Sequence, residues 1–257
     1  MRLALHPTTE AGQRAGRILL GEPDLEALGI YGHRSRATED RRSMAITDLA
    51  GFAVLISDDV TAPLDLAAIA VDDGLSCVLA ADADCPPLLA ARFAGQGLTL
   101  LVGASIAGLA EALRFHEAVR AEPEREALVA WTTEGKALRR GEAVPFPDPL
   151  GARWGRRLRG RPGDDPAVVH IEVPVEGHWG GALARVTRQE GPRTIQRLVA
   201  VADDRHHLAA LALAAGALLL ARGGPAPGAR RPAEAAAAYL ETATHVGLEM
   251  ASFTHQV

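Results

Sequence analysis

Short apolar runs recur along the first half of the chain, separated by amphipathic or alanine-rich stretches. Arg2–His6 and Ala27–Tyr31 read as strands, with a helix at Glu10–Leu20 between them. Phe52-Ala53-Val54-Leu55-Ile56-Ser57 is apolar on both faces, the pattern of a parallel strand covered on each side by helices. Pro63 suits a first helical turn, so Leu64–Val71 is expected to continue as helix. Cys77–Ala80 and Leu98–Val102 repeat the buried-strand pattern. Pro86-Pro87 opens a helix after the first, and Ile106–Arg120 follows the second. Five β–α units in a row predict a Rossmann-like, doubly wound α/β domain with a parallel sheet, over residues 1–125.

Beyond residue 125 the period changes. Leu128–Thr132 reads as a strand ending at the turn Glu134-Gly135-Lys136, and a proline-rich stretch and an arginine-rich loop, Arg153–Pro162, come next. Val168–Val175 alternates cleanly, with Val169, Ile171, Val173 and Val175 on one face and His170 and Glu172 on the other. Two more strands are expected near Leu183–Gln189 and Thr194–Val201. Asp203 or Asp204 then caps a long helix from about His206 to Arg222. A flexible Gly223–Pro232 linker, a short alanine-rich helix and a strand near Leu248–Phe253 complete the pattern. The expectation for residues 126–257 is a smaller α+β domain with a mixed or antiparallel sheet. Its apolar face should lie against the long helix and its His170/Glu172 face should be open, pairing two copies into a homodimer.

Composition narrows the function classes. The 257 residues are 48% hydrophobic and carry a formal net charge of −5, which excludes a mostly disordered chain and offers no global attraction for nucleic acid or an anionic membrane. The longest apolar run, Leu208–Ala221, is too short to span a bilayer as a helix. No signal-peptide apolar region follows Met1, and Cys77 and Cys85 are too few for a disulfide framework or a four-thiolate zinc site. A reducing cytoplasm is the expected setting, with no bound metal.

Candidate chemistry sits at the carboxyl ends of the parallel strands, where open α/β sheets bind ligands. The first β–α turn reads His6-Pro7-Thr8-Thr9-Glu10-Ala11-Gly12-Gln13-Arg14-Ala15-Gly16. Gly12 and Gly16 have the spacing of the later glycines of a dinucleotide fingerprint, while the early glycine is missing. Thr8, Thr9, Gly12 and Gly16 are the candidate phosphate-binding residues. After the second strand the sequence has His33-Arg34-Ser35-Arg36, then Arg41 and Arg42. Arg34 and Arg36 there favour a cofactor with a 2′-phosphate, NADP over NAD. Asp58 and Asp59 follow the third buried strand and are read as caps of the Pro63 helix.

In this order of elements, with the Gly103-Ala104-Ser105 turn before a helix, the chain resembles the small NAD(P)-dependent oxidoreductases of the dihydrodipicolinate-reductase-like group. The likeness covers nearly the whole length and rests on architecture. The phosphate loop departs from that family's pattern, and its catalytic segment, a histidine-rich stretch with a nearby lysine, has no counterpart. The leading expectation is an NADP-linked oxidoreductase acting on a small carbonyl, imine or hydroxy acid. His170, Glu172 and His178 are the candidate acid–base residues. The alternatives are a Rossmann-derived binding, regulatory or scaffold protein that has lost dinucleotide binding, or a cofactor-free lyase or isomerase on the same fold.

Overall fold

The computed structural model describes residues 1–32, 39–119, 126–147, 150–159 and 165–256. In the first half, strands β1 (Arg2–His6), β2 (Ala27–Tyr31), β3 (Ser43–Ile46), β4 (Val54–Ser57), β5 (Ser76–Leu79) and β6 (Thr99–Val102) alternate with four helices. These are α1 (Glu10–Leu20), α2 (Pro63–Asp72), α3 (Pro87–Gly95) and α4 (Ile106–Val119). The second half contributes β7 (Glu126–Glu134), β8 (Glu142–Pro145), β9 (Ala152–Arg157), β10 (Val168–Val175), β11 (Trp179–Glu190) and β12 (Arg193–Asp204). The chain closes with α5 (Arg205–Ala221), β13 (Gly228–Arg230), α6 (Ala236–His245) and β14 (Ala251–Gln256).

Seven strands in the order β13-β6-β5-β4-β1-β2-β3 form a parallel sheet, as the buried apolar runs predict. The second unit differs from the expected β–α repeat: β2 is followed in the sheet by β3, a short strand whose mixed Ser-Met-Ala-Ile pattern gave no buried-strand signal. The expected linker after α5 also departs from the reading, because β13 within it pairs with β6 and extends this sheet.

The second sheet runs β14-β12-β11-β7-β10-β9-β8 and is mixed: β7 and β10 are parallel and its other pairs antiparallel. Part of the arginine-rich loop is strand β9, anchored to β8 and β10 by backbone pairing that its charged side chains do not reveal.

The two sheets share one layer of helices. Leu3, Leu5, Ile56, Val78 and Leu101 of the first sheet and Val129, Ala182, Ala184, Val199 and Val201 of the second belong to one apolar cluster with α1, α4, α5 and α6. This explains α5, which is apolar on every side and buried along most of its length. Gly216 lets it approach the first sheet, since a Cβ there would stand 2.9 Å from Leu101 Cδ2.

The faces of β10 are not disposed as expected. Ile171, Val173 and Val175 are buried, with Val169 packed beside them, but beneath Val144, Phe146 and Leu150 rather than α5. Gly155 allows that cover, for a Cβ there would meet Ile171 Cγ2 at 2.2 Å. His170 and Glu172 instead share the helix-side face with Val129 and Trp131, their ladder partners on β7.

Candidate functional site

The strand order reverses between β1 and β4, so the ligand position of such a sheet lies beyond His6 and Ser57. The turn after β1 leads into α1, whose first backbone N–H groups are unpaired within the helix and attract negative charge. Asp58, immediately after β4, fills that position. Its Oδ1 accepts from Thr8 N at 2.6 Å and Thr8 Oγ1 at 3.0 Å. Its Oδ2 accepts from Thr9 N at 2.9 Å, Thr9 Oγ1 at 2.5 Å and Gly12 N at 2.9 Å. The carboxylate is buried, only 4% of Asp58 being exposed. A Cβ on Gly12 would stand 2.3 Å from Asp58 Oδ2, so the glycine brings the helix end against the chain's own anion.

This corrects the reading of Asp58 as a cap of the Pro63 helix. The helix α2 has no side-chain cap at Ala62, and Asp58 caps α1 instead. Asp59 stays local, accepting from Thr61 N at 2.7 Å. That bond lowers its pKa against an opposing effect of burial, with Thr61 Oγ1 and His6 adding to the shift. Gly16 packs α1 on the sheet, since a Cβ there would lie 2.9 Å from Leu5 Cδ2.

A second helix end close by is treated in the same way. Asp204 Oδ1 accepts from His206 N at 3.0 Å and His207 N at 3.1 Å, capping α5. Arg14 of α1 reaches the same oxygen at 2.7 Å and Glu10 at 2.7 Å, joining the two helix starts. Further along the edge, Arg231 contacts Asp82 at 3.0 Å and Asp84 at 3.7 Å. Beyond the strand ends the surface is thus rich in carboxylates, each already engaged by protein donors.

The other candidates are dispersed. His170 Nε2 lies 2.5 Å from Glu111 Oε1 on α4 and packs edge-on against Trp131. Glu172 is half-buried opposite Trp131. His178 is exposed on the turn before β11, and its carbonyl accepts from Arg205 N at 2.5 Å. Among the described residues no hydrogen bond joins these three to one another or to the Asp58 cluster. Arg34 and Arg36 lie outside the described residues. Arg42 is structural: it pairs with Asp40 and donates to the carbonyls of Leu20 and Glu22 at the end of α1. Among the described residues no group of His, Cys, Asp and Glu is arranged to hold a metal, and no helix is long and apolar enough to cross a membrane.

No protein-family model and no curated protein sequence matches the chain. Solved structures do. A meso-DAP dehydrogenase variant with DAP from Clostridium tetani E88 superposes with a TM-score of 0.61 at 12% identity, covering 93% of this chain and 96% of that one. Dihydrodipicolinate reductase from Paenisporosarcina sp. TG-14, bound to dipicolinate, gives 0.52 at 10% identity over 90% and 97%. Homospermidine synthase from Legionella pneumophila, in complex with NAD, gives 0.61 at 9% identity over 99% and 91%. The fold is that of the dihydrodipicolinate-reductase-like dehydrogenases. At these identities the likeness is one of fold.

That fold implies a nicotinamide dinucleotide, and the residues present do not fit one in the usual seat. A pyrophosphate at the start of α1 would need the Thr8, Thr9 and Gly12 N–H groups that Asp58 already occupies, and it would meet a buried carboxylate at close range. The sequence pointed to Thr8, Thr9 and Gly12 as phosphate-binding residues; in the structure their donors are turned to Asp58. Two threonines in place of the early glycine, with an aspartate ending the facing strand, are the signal.

Proposed function

We propose that this protein is a binding or regulatory protein built on a dehydrogenase fold, working without a nicotinamide dinucleotide in the α1 cradle. The observation that carries this reading is the five-donor capture of Asp58, a carboxylate in the seat of the pyrophosphate. Removing it would leave the buried Gly12 N–H without its Asp58 partner, at about 1–3 kcal/mol. A dinucleotide has to displace that carboxylate before its own phosphates are held. The protein would bind a small-molecule ligand, act as a homodimer through the second sheet and reside in a reducing cytoplasm, the last resting on its two unpaired cysteines.

The second reading is an NADP-linked oxidoreductase acting on a small carbonyl, imine or hydroxy acid. It is favoured by the fold shared with dehydrogenases and by the Gly12/Gly16 spacing. His170, Glu172 and His178 would supply its acid–base groups, and Arg34 and Arg36 would select NADP. Thermal-shift titration of the full chain with NADPH and NADH separates the two readings, because a ligand that binds only the folded state raises the melting temperature by mass action. We expect no shift with either nucleotide. A saturable NADPH shift would overturn the first reading in favour of the second.

A further inference from the structure

Among the described residues the buried charged side chains are Glu22, Asp58 and Arg188. Glu22 is held by Arg222 and His245, and Asp58 by five donors. Arg188 has no such partner. It is 1% exposed, and its Nε, Nη1 and Nη2 are all shut from solvent without a hydrogen-bond acceptor. An arginine near the rim of a sheet ordinarily carries its head out to water along its aliphatic stem. A guanidinium stays charged in proteins, and a buried charge left without a counterpart is strongly destabilising.

Arg188 lies on β11 opposite Ile195 of β12, two rungs before the last pair of that hairpin, Glu190 with Arg193. Alternation places it on the face of Ala182, Ala184 and Val186, toward the helix layer, where α4 packs on both strands. Its close neighbours on that face are apolar: Val186 and Ala127, both buried, and the half-buried Ile195. Arg197, diagonally across the ladder, adds a second cation rather than an acceptor. Gln256 of β14, opposite Ile195, is exposed, so the rim of the sheet is close at hand. The start of α5 meets the other end of β11, at Trp179 and Asp204, about 30 Å away by strand rise.

The free fork of Arg188 matches the two oxygens of a carboxylate, which satisfies a pair of its donors through charge-assisted hydrogen bonds. A phosphate would bring further oxygens against Val186, Ala127 and Ile195, which offer no side-chain donors; those side chains suit an aliphatic tail. We propose that Arg188 anchors a binding site for the carboxylate of a short aliphatic acid, entered from the rim of the second sheet. The site is remote from the α1 cradle and does not depend on what that cradle holds.

Isothermal titration of the full chain with sodium propionate at constant ionic strength tests it. The expected result is saturable one-site binding that Arg188→Met weakens about tenfold or more. Arg188→Lys keeps the charge but not the fork, so it should weaken binding as well. Without propionate the methionine variant should melt at or above wild type, because it removes an unpartnered buried charge. Propionate should then raise the melting temperature of wild type alone. Heats that never saturate, or equal affinity in wild type and the lysine variant, would overturn the proposal. A methionine variant that melts well below wild type without propionate would also overturn it, since the guanidinium would then already be partnered. Tighter binding of inorganic phosphate than of propionate would overturn the assignment to a carboxylate.

Discussion

At the scale of single residues, the molecule turns on how Asp58 and Gly12 fit together. The donors at the start of α1 are those an anionic ligand would use, and a side chain of the same protein has taken them. A methyl group at position 12 would stand 2.3 Å from Asp58 Oδ2, so either the carboxylate or the helix must move. Alanine is the better helix former by about 1 kcal/mol, yet Gly12 sits in the first turn, where that gain is small. Overpacking and disturbed buried hydrogen bonds cost more, and we expect Gly12→Ala to destabilise the protein by about 2 kcal/mol. Denaturant melts of the two proteins check this; equal midpoints would show that Asp58 is not held as tightly as its five donors imply.

At the scale of elements, helix starts are the points where the parts are joined. Asp204 caps α5 and receives Arg14 from α1, so one carboxylate finishes a helix and ties it to its neighbour. Burial opposes its ionised form, but the N–H groups of His207 and His206 and the nearby Arg14 together hold its pKa below the ordinary aspartate value. A depressed folded-state pKa contributes stability above the unfolded value and loses it as pH falls through the folded one. Asp204→Ala should therefore cost about 1 kcal/mol at neutral pH. The gap to wild type should shrink as pH drops below about 4. Unfolding midpoints across that pH range test the sign; a gap that widens on acidification would contradict it.

At the scale of the whole molecule, two sheets press on one layer of helices, and Val144, Phe146 and Leu150 cover only part of the second sheet's far face. On that face Phe253 of β14, 59% exposed, lies beside Leu198 of β12. The His170/Glu172 face is turned toward the helices, so for the homodimer proposed from the sequence we propose the Phe253 surface instead. Sedimentation equilibrium should give a dimer for the wild type and a monomer for Phe253→Arg, since an arginine there would bury unpaired charge against its symmetry mate. A monomeric wild type at tens of micromolar would end the dimer reading.

The elements whose signals are local could be read from residue order alone. Apolar runs marked β1, β4, β5 and β6; Pro63 and Pro87 opened helices; alternation marked β10; and an aspartate before an alanine- and leucine-rich run marked the start of α5. The glycine spacing after β1 also drew attention to the turn that holds Thr8, Thr9 and Gly12, without showing what their donors hold. Tertiary structure decided the rest. Strand β9 exists because β8 and β10 pair with it, and β13 because β6 does; neither partner can be read from the segment itself. Which face of β10 met helices depended on where β8 and β9 curled. Alternation fixes that two faces differ, not what covers each. The filling of the cradle by Asp58 was decided the same way. Forty-six residues separate Asp58 from Gly12, and only the parallel pairing of β1 with β4 sets the end of one strand against the helix that follows the other.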